Sequence, residues 1–156
     1  MKYLAGFTAA VAGIAVAGSV AMAGGHGGNP VANARSSTMG LYSYYLGVLG
    51  GMARGNTEYD AEVAVTAAKA LAGVATADQS LLWIEGTDRE SIEGTRALPK
   101  IWTDPEGFAA ELEKISKAAD AAVLAVANGL PDLQAAVGGV GASCGSCHEA
   151  YRGPRN

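Results

Sequence analysis

Histidine, cysteine, tryptophan and phenylalanine each occur only twice in the 156 residues, and each scarcity removes a class of explanation. The two cysteines, Cys144 and Cys147, lie three positions apart, so no disulfide framework staples the fold. A zinc site on this pair needs two more ligands. Beyond the adjacent His148 the chain offers only His26, alone in a glycine-rich leader, and it is assigned no role. Aromatic residues are 6% of the chain and runs of β-branched and aromatic residues are missing, while hydrophobic residues reach 49% with alanine abundant. That balance points to helices. Basic side chains are outnumbered, 11 against 15, for a formal charge of −4. Such a surface argues against nucleic acid or anionic lipid as partner, and its sign favours partner proteins with a basic docking patch.

What is present begins with an export pattern. Met1-Lys2-Tyr3 supplies a positive start, Leu4 to Val20 an uncharged apolar run, and Ala21-Met22-Ala23 a small-x-small cleavage site. Residues 1–23 therefore read as a signal peptide and 24–156 as one exported, periplasmic domain with no membrane contact after cleavage. The run is nearly long enough to span a bilayer, which leaves an uncleaved anchor as the alternative, though its many Ala and Gly residues make it only mildly hydrophobic. Removing Lys2 leaves 10 basic residues against 15 acidic ones, a charge of −5. The mature chain is long enough to bury a single core.

Close to the C-terminus stands Cys144-Gly145-Ser146-Cys147-His148, followed by Glu149-Ala150-Tyr151-Arg152. Cys-x-x-Cys-His is the attachment signature of c-type haem, in which two thiols add across the haem vinyl groups and the adjacent imidazole takes an axial position on iron. The spacing has a geometric cause. Helical positions three apart share a face, so both thiols reach neighbouring substituents of one flat macrocycle, and His148 swings toward the metal. The rivals are a structural disulfide and a reactive dithiol. A thioredoxin-like pair opens a helix after a strand in a βαβ pattern, and no such pattern precedes Ser143.

Hydrophobic spacing predicts four helices. The first runs from about Pro30 to Gly55, with Val31, Arg35, Met39, Tyr42, Leu46, Leu49 and Ala53 on one face and a second row of Leu41, Tyr45, Val48 and Met52. Its Gly50-Gly51 pair, costing about 1 kcal/mol per glycine, marks close packing or a slight bend. The second helix is capped by Asp60 and runs to about Ala77, with Val63, Ala67, Ala70 and Val74 turned inward. Residues 78–103 contain Gly86-Thr87-Asp88, Gly94 and Pro99 and keep no period. Leu81, Leu82, Trp83, Ile84, Ile101 and Trp102 are expected to fold this stretch over the core. Thr103-Asp104-Pro105-Glu106 holds a capping-box pattern that opens the third helix, whose face is Phe108, Leu112, Ile115, Ala119, Ala122 and Val126 and whose stop is Asn128-Gly129.

The fourth helix starts near Pro131, with Leu133, Val137, Val140, Cys144, Cys147 and Tyr151 in its inward row. Both thiols thus continue the core seam, which puts the cofactor inside the bundle. Gly138, Gly139, Gly141 and Gly145 penalise this helix by roughly 3–4 kcal/mol relative to alanine. Close approach of the backbone to a ligand or neighbouring helix is the expected offset, and a local break at Gly138-Gly139 is the alternative. Four helices with short links on both sides and one longer middle crossing make an all-α, antiparallel four-helix bundle with covalently bound haem.

With these elements in place, the chain resembles the cytochromes c′ and their low-spin relatives, the class II c-type cytochromes of bacteria. The resemblance covers essentially the whole mature chain. Beside the haem motif it rests on Arg35-x-x-x-Met39, Gly86-Thr87-Asp88, Ile101-Trp102 and Tyr151-Arg152. It implies one haem c per chain held by Cys144 and Cys147, with His148 as proximal ligand and Arg152 as the basic residue beside the proximal face. It also implies that Arg35 lies near a haem propionate and that Met39 faces the distal side of iron. The chain departs from the family where Leu82-Trp83-Ile84 stands in place of a common proline. Members often form antiparallel homodimers through helices one and two, and the apolar second row of helix one suits a homodimer.

Met39 decides between two functions. If its thioether bonds iron, the haem is six-coordinate and low-spin with a raised potential, and the protein is a one-electron carrier serving redox partner proteins. If it only packs, as methionine on an inward face more often does, the iron is five-coordinate and binds nitric oxide or carbon monoxide. Met52, the other methionine of this helix, lies about 20 Å further along. Ligation by Met39 and electron carriage are the expectation, and gas binding is the alternative. Arg35, one turn before Met39, either snorkels to solvent or pairs with a propionate, the preferred reading. A haem enzyme would want a distal acid or base, usually histidine, and the mature chain has none to spare, so no catalysis is expected.

Overall fold

The computed structural model describes residues 28–155. The signal-peptide reading of residues 1–23 and the leader histidine His26 lie outside the described residues. Helix α1 spans Pro30–Ala53 and α2 Ala61–Thr76. A 3-10 turn at Ser80–Leu82 and the single-turn helix α3, Lys100–Thr103, interrupt the long crossing, after which α4 spans Pro105–Ala125 and α5 Leu130–Tyr151. α1 packs against α2 and α5, and α4 packs against the same two, which closes a ring of four long helices. Links as short as those from α1 to α2 and from α4 to α5 force antiparallel neighbours, so the architecture is the expected four-helix bundle. Among the described residues no helix is long and apolar enough to cross a membrane.

Capping explains where the helices begin. The side chain of Asn29 accepts hydrogen bonds from the backbone N–H of Val31 (2.9 Å) and Ala32 (3.3 Å). Asn29, just before the expected start of the first helix, is therefore the N-cap of α1, the helix that carries Arg35 and Met39. Asp60 caps α2 as expected, accepting from Glu62 N (2.8 Å) and Val63 N (3.0 Å). At α4 the cap is Asp104, which accepts from Gly107 N at 3.2 Å, rather than Thr103 of the capping-box reading, because Thr103 closes α3. The Asp104 carboxylate also accepts from the Tyr151 hydroxyl at 2.8 Å, pinning the last turn of α5 to the first of α4.

The inward rows of α1, α4 and α5 are buried or half-buried throughout. The second row of α1 divides: Met52 is buried, whereas Leu41 is 46% exposed. Helix α2 keeps three of its four expected inward positions, with Ala67 buried and Ala70 and Val74 half-buried, and departs at the first. Val63, placed inward by sequence, is 46% exposed, and the buried row is Ala64, Ala67, Ala68, Leu71, Ala72 and Ala75. The cause is position. α2 lies between α1 and α4 and needs two buried flanks, and alanines on both let the neighbouring helices approach closely.

The glycines of α5 do not play the expected part. The helix is unbroken, and Gly138, Gly139, Gly141 and Gly145 are exposed, with open space where a Cβ would sit. Neither close approach nor a break accounts for them. Gly138→Ala is therefore expected to raise stability by about 0.5–1 kcal/mol. An increase in the urea midpoint of the haem-loaded protein checks this, and a decrease would restore the close-approach reading. In α1 the pair behaves differently, since a Cβ on Gly50 would meet the Arg54 guanidinium at 2.8 Å and one on Gly51 the Thr57 hydroxyl at 3.2 Å. These contacts are with side chains at the C-terminal end of the same helix and in the turn after it, not with a neighbouring helix.

The hydrophobic core is in two parts. The larger joins Tyr42, Leu49, Leu71, Ile115, Leu133 and Val140 with the alanines of α2 and α4. The smaller gathers Ile101, Phe108 and Tyr151, with Trp83, Trp102 and Leu112 packed on it. Cys144 lies against the first and Cys147 against the second, so the two thiols straddle the division.

Candidate functional site

Between the two clusters lies a cavity of about 540 Å³, in the size range of cofactor sites. All six residues singled out by sequence line it: Arg35 and Met39 from α1, Cys144, Cys147 and His148 from α5, and Arg152 just beyond the end of α5. Tyr42, Leu71, Ile115, Phe108 and Leu112 complete its apolar walls. Phe108 stands edge-on to Trp83 (ring centroids 4.7 Å apart) and to Tyr151 (5.2 Å), and such aromatic contacts tie the crossing segment to α4 and α5 along one wall.

The thiols are free and half-buried. Burial pushes both pKa values up, that of Cys147 to about 11 with the Glu111 charge adding to the effect. A redox dithiol needs a thiolate held below the ordinary range by positive surroundings, so this environment speaks against that rival. Among the described residues no group of three or more His, Cys, Asp and Glu side chains is placed to hold a metal by itself. Two thiols and an imidazole make a complete site only around a ligand that brings its own donors. The His148 pKa is lowered, first by burial and then by the charges of Arg152 and Arg96. That favours neutral imidazole, the form able to ligate a metal.

Arg35 is 4% exposed. Its Nη2 donates to the Thr87 carbonyl, and its guanidinium carbon lies 5.4 Å from the Trp83 ring centroid and 6.0 Å from that of Trp102. The Gly-Thr-Asp turn is built to hold this arginine. Gly86 takes the positive φ (75°) that side chains resist. Thr87 Oγ1 donates back to the Ile84 carbonyl, and the Asp88 carboxylate accepts from Glu90 N (2.8 Å), Ser91 N (3.0 Å) and Ser91 Oγ (2.8 Å). Burial lowers the Arg35 pKa, and the charge of Asp88 opposes that shift.

Among the described residues, four buried side-chain polar atoms lack a protein partner: Arg35 Nε and Nη1, Trp83 Nε1 and Gln79 Oε1. All three residues line the cavity. A buried donor without a partner is costly, and three donors beside one chamber fit a ligand that carries carboxylates. The residues present therefore fit a haem, a group that carries two carboxylates.

Sequence reasoning missed two residues here. Gln79 Nε2 donates to the Tyr42 hydroxyl (3.0 Å) and the Val74 carbonyl (3.3 Å), tying the crossing to α1 and α2. Arg96 Nε donates to the Gly153 carbonyl at 2.8 Å. Both lie in the stretch without periodicity, where no local signal marks them.

A family model described as Cytochrome C′ matches residues 30–152. A curated cytochrome c-554 from Cereibacter sphaeroides is 42% identical over 118 residues, 76% of this chain and 89% of the relative. Among solved structures, the cytochrome c′ from Rhodobacter Spheriodes superposes with a TM-score of 0.78 at 37% identity, over 80% of this chain and 96% of the other. The cytochrome c prime from Alcaligenes xylosoxidans, at 28% identity, covers 80% of this chain and 94% of its own, with a TM-score of 0.71 for a variant in complex with nitric oxide and 0.70 for a variant with carbon monoxide bound.

Proposed function

Because the chain belongs to the cytochrome c′ family and carries covalently attached haem c, we propose that it is a one-electron carrier of the periplasm. Residues 1–23 are its cleaved signal peptide, and residues 24–156 are the mature domain. The observation that carries this reading is the shared cavity, to which α1 contributes the Met39 thioether and α5 the His148 imidazole.

When bound, the haem supplies a one-electron Fe(III)/Fe(II) couple. The remaining work belongs to the chain. Cys144 and Cys147 would hold the group through thioether bonds, and His148, kept neutral by burial and its arginine neighbours, would ligate its iron. Met39 would supply a thioether that favours the reduced state. Arg35, whose Nε and Nη1 lack a protein partner, would receive a carboxylate of the group, and Arg152 would hold positive charge beside His148. The walls of Leu71, Ile115, Phe108 and Leu112 keep water away, so little solvent must reorganise when the charge changes. This reading assigns the protein no catalytic step. It includes a homodimer through α1 and α2, which expose Leu41, Tyr44 and Val63.

A second reading has its own support. Met39 packs against the larger core cluster, and variants of a related cytochrome c prime bind nitric oxide and carbon monoxide. An absorption spectrum of the oxidised and dithionite-reduced protein, before and after carbon monoxide, decides between them. The carrier reading expects a sharp, split low-spin reduced spectrum that the gas leaves unmoved. Met39→Ala should then become high-spin and bind carbon monoxide. A broad high-spin spectrum of the unaltered protein that shifts with the gas would give the function to ligand binding.

A further inference from the structure

The chain holds six arginines; backbone pairing brings Arg89, Arg96 and Arg152 together at one rim of the haem cavity, and Arg155 follows three residues after Arg152, near enough for its charge to act on Arg96. Ala97 and Arg152 form an isolated antiparallel bridge. Gly153 N donates to the Arg96 carbonyl (2.8 Å), Leu98 N to the Tyr151 carbonyl (3.0 Å) and Arg89 N to the Ala97 carbonyl (2.8 Å). Together with the Arg96 Nε bond to Gly153, these contacts lay the segments 89–98 and 151–153 side by side. Arg96 and Arg152 line the cavity. Arg152 and Arg155 are exposed, and Arg89 and Arg96 are half-buried. The charges of Arg152, Arg155 and Arg89 all act to lower the Arg96 pKa, after burial, and those of Arg152 and Arg96 reach His148. A mature chain of formal charge −5, 10 basic residues against 15 acidic, thus presents positive charge at the rim of its haem cavity.

We propose that this arginine rim, formed by Arg89, Arg96, Arg152 and Arg155, is the docking surface for the acidic face of a one-electron redox protein. The inference deepens the carrier reading and rests on it. It reverses the expectation drawn from net charge, which favours a partner with a basic patch. Local charge at the contact steers encounter more than the total does, because screening at physiological salt limits the reach of distant charges to about 8 Å. The rest of the chain is net acidic, so an acidic partner is repelled by the total charge and attracted at the rim. Nucleic acid is the weaker candidate, since the patch holds four arginines and the rest of the surface repels a polyanion.

The test is stopped-flow oxidation of the reduced, haem-loaded protein by hexacyanoferrate(III), an anion. One electron passes from haem Fe(II), leaving Fe(III) and hexacyanoferrate(II). Tris(phenanthroline)cobalt(III), a cation reduced to cobalt(II) in the same way, is the control. The rim predicts that the rate with the anion falls about threefold or more as ionic strength rises from about 10 mM to about 300 mM, while that with the cation does not fall. Arg155→Glu, exposed and outside the haem site, should slow the anion severalfold at low salt and little at high salt, with the absorption spectrum unchanged. A rate with the anion that rises with salt would overturn the proposal, showing that the propionates or Glu90 and Glu93 cancel the rim. An Arg155→Glu protein that reacts as fast as the original would also overturn it. Outer-sphere oxidation needs no particular sixth ligand, so failure of the carrier reading in the carbon monoxide experiment leaves this result separately readable.

Discussion

Cys144→Ser combined with Cys147→Ser is expected to make the haem fully extractable by acid–acetone, whereas the unaltered protein retains all of it. The thiols occupy opposite sides of a divided core, one against the large cluster and the other against the small, so the group they bind is the piece that joins the two. Stability should fall with attachment. An unfilled apolar void costs about 2.4 kcal/mol per 100 Å³, so whatever part of a cavity of about 540 Å³ fails to collapse without haem takes a large share of the 5–15 kcal/mol margin typical of a domain. The double variant should therefore lose haem on extraction and, once haem-free, unfold at much lower urea. Haem that survives extraction in the double variant would contradict covalent attachment through this pair.

The second large effect concerns α2. Leu71 is completely buried, packs in the main cluster and lines the haem cavity, so Leu71→Ala should cost about 3 kcal/mol. Val63, 46% exposed, should cost no more than about 0.5 kcal/mol on truncation to alanine. Urea titration of both haem-loaded variants measures the difference. Equal costs, or a larger one at Val63, would mean that α2 is rotated to the register its sequence suggests. Leu71→Ala should also disturb the haem spectrum, because the removed methyl groups form part of the wall.

The two results bear on how much can be read without coordinates. The rows on α1, α4 and α5 were legible because bulky residues such as Leu49, Phe108, Ile115 and Leu133 recur at helical spacing with polar residues between them. The row on α2 was legible only in part. Alanine is compatible with either a buried or an exposed position, so Ala61–Thr76 supports several registers; Ala67 and Val74 do face the core, but the row that joins them to Val63 passes over Leu71. The glycines of α5 misled for a related reason, since a missing side chain is consistent with close contact and with open solvent alike.

The sequence by itself determined the features that depend on near neighbours. Cys144, Cys147 and His148 form a haem signature through their spacing along one turn, Asp60 caps α2 through an adjacent N–H, and three of the four amphipathic rows follow from the helical repeat. Only the tertiary structure decided which flank of α2 is buried, that Gln79 and Trp83 face the same chamber as Arg35, that the core divides around that chamber, and that Arg96 and Arg152 stand side by side across a backbone bridge. These arrangements join residues 40 to 120 positions apart, as Arg35 and Cys147 show. They are selected by the summed packing and charge of the whole chain, for which no local period in the sequence provides a code.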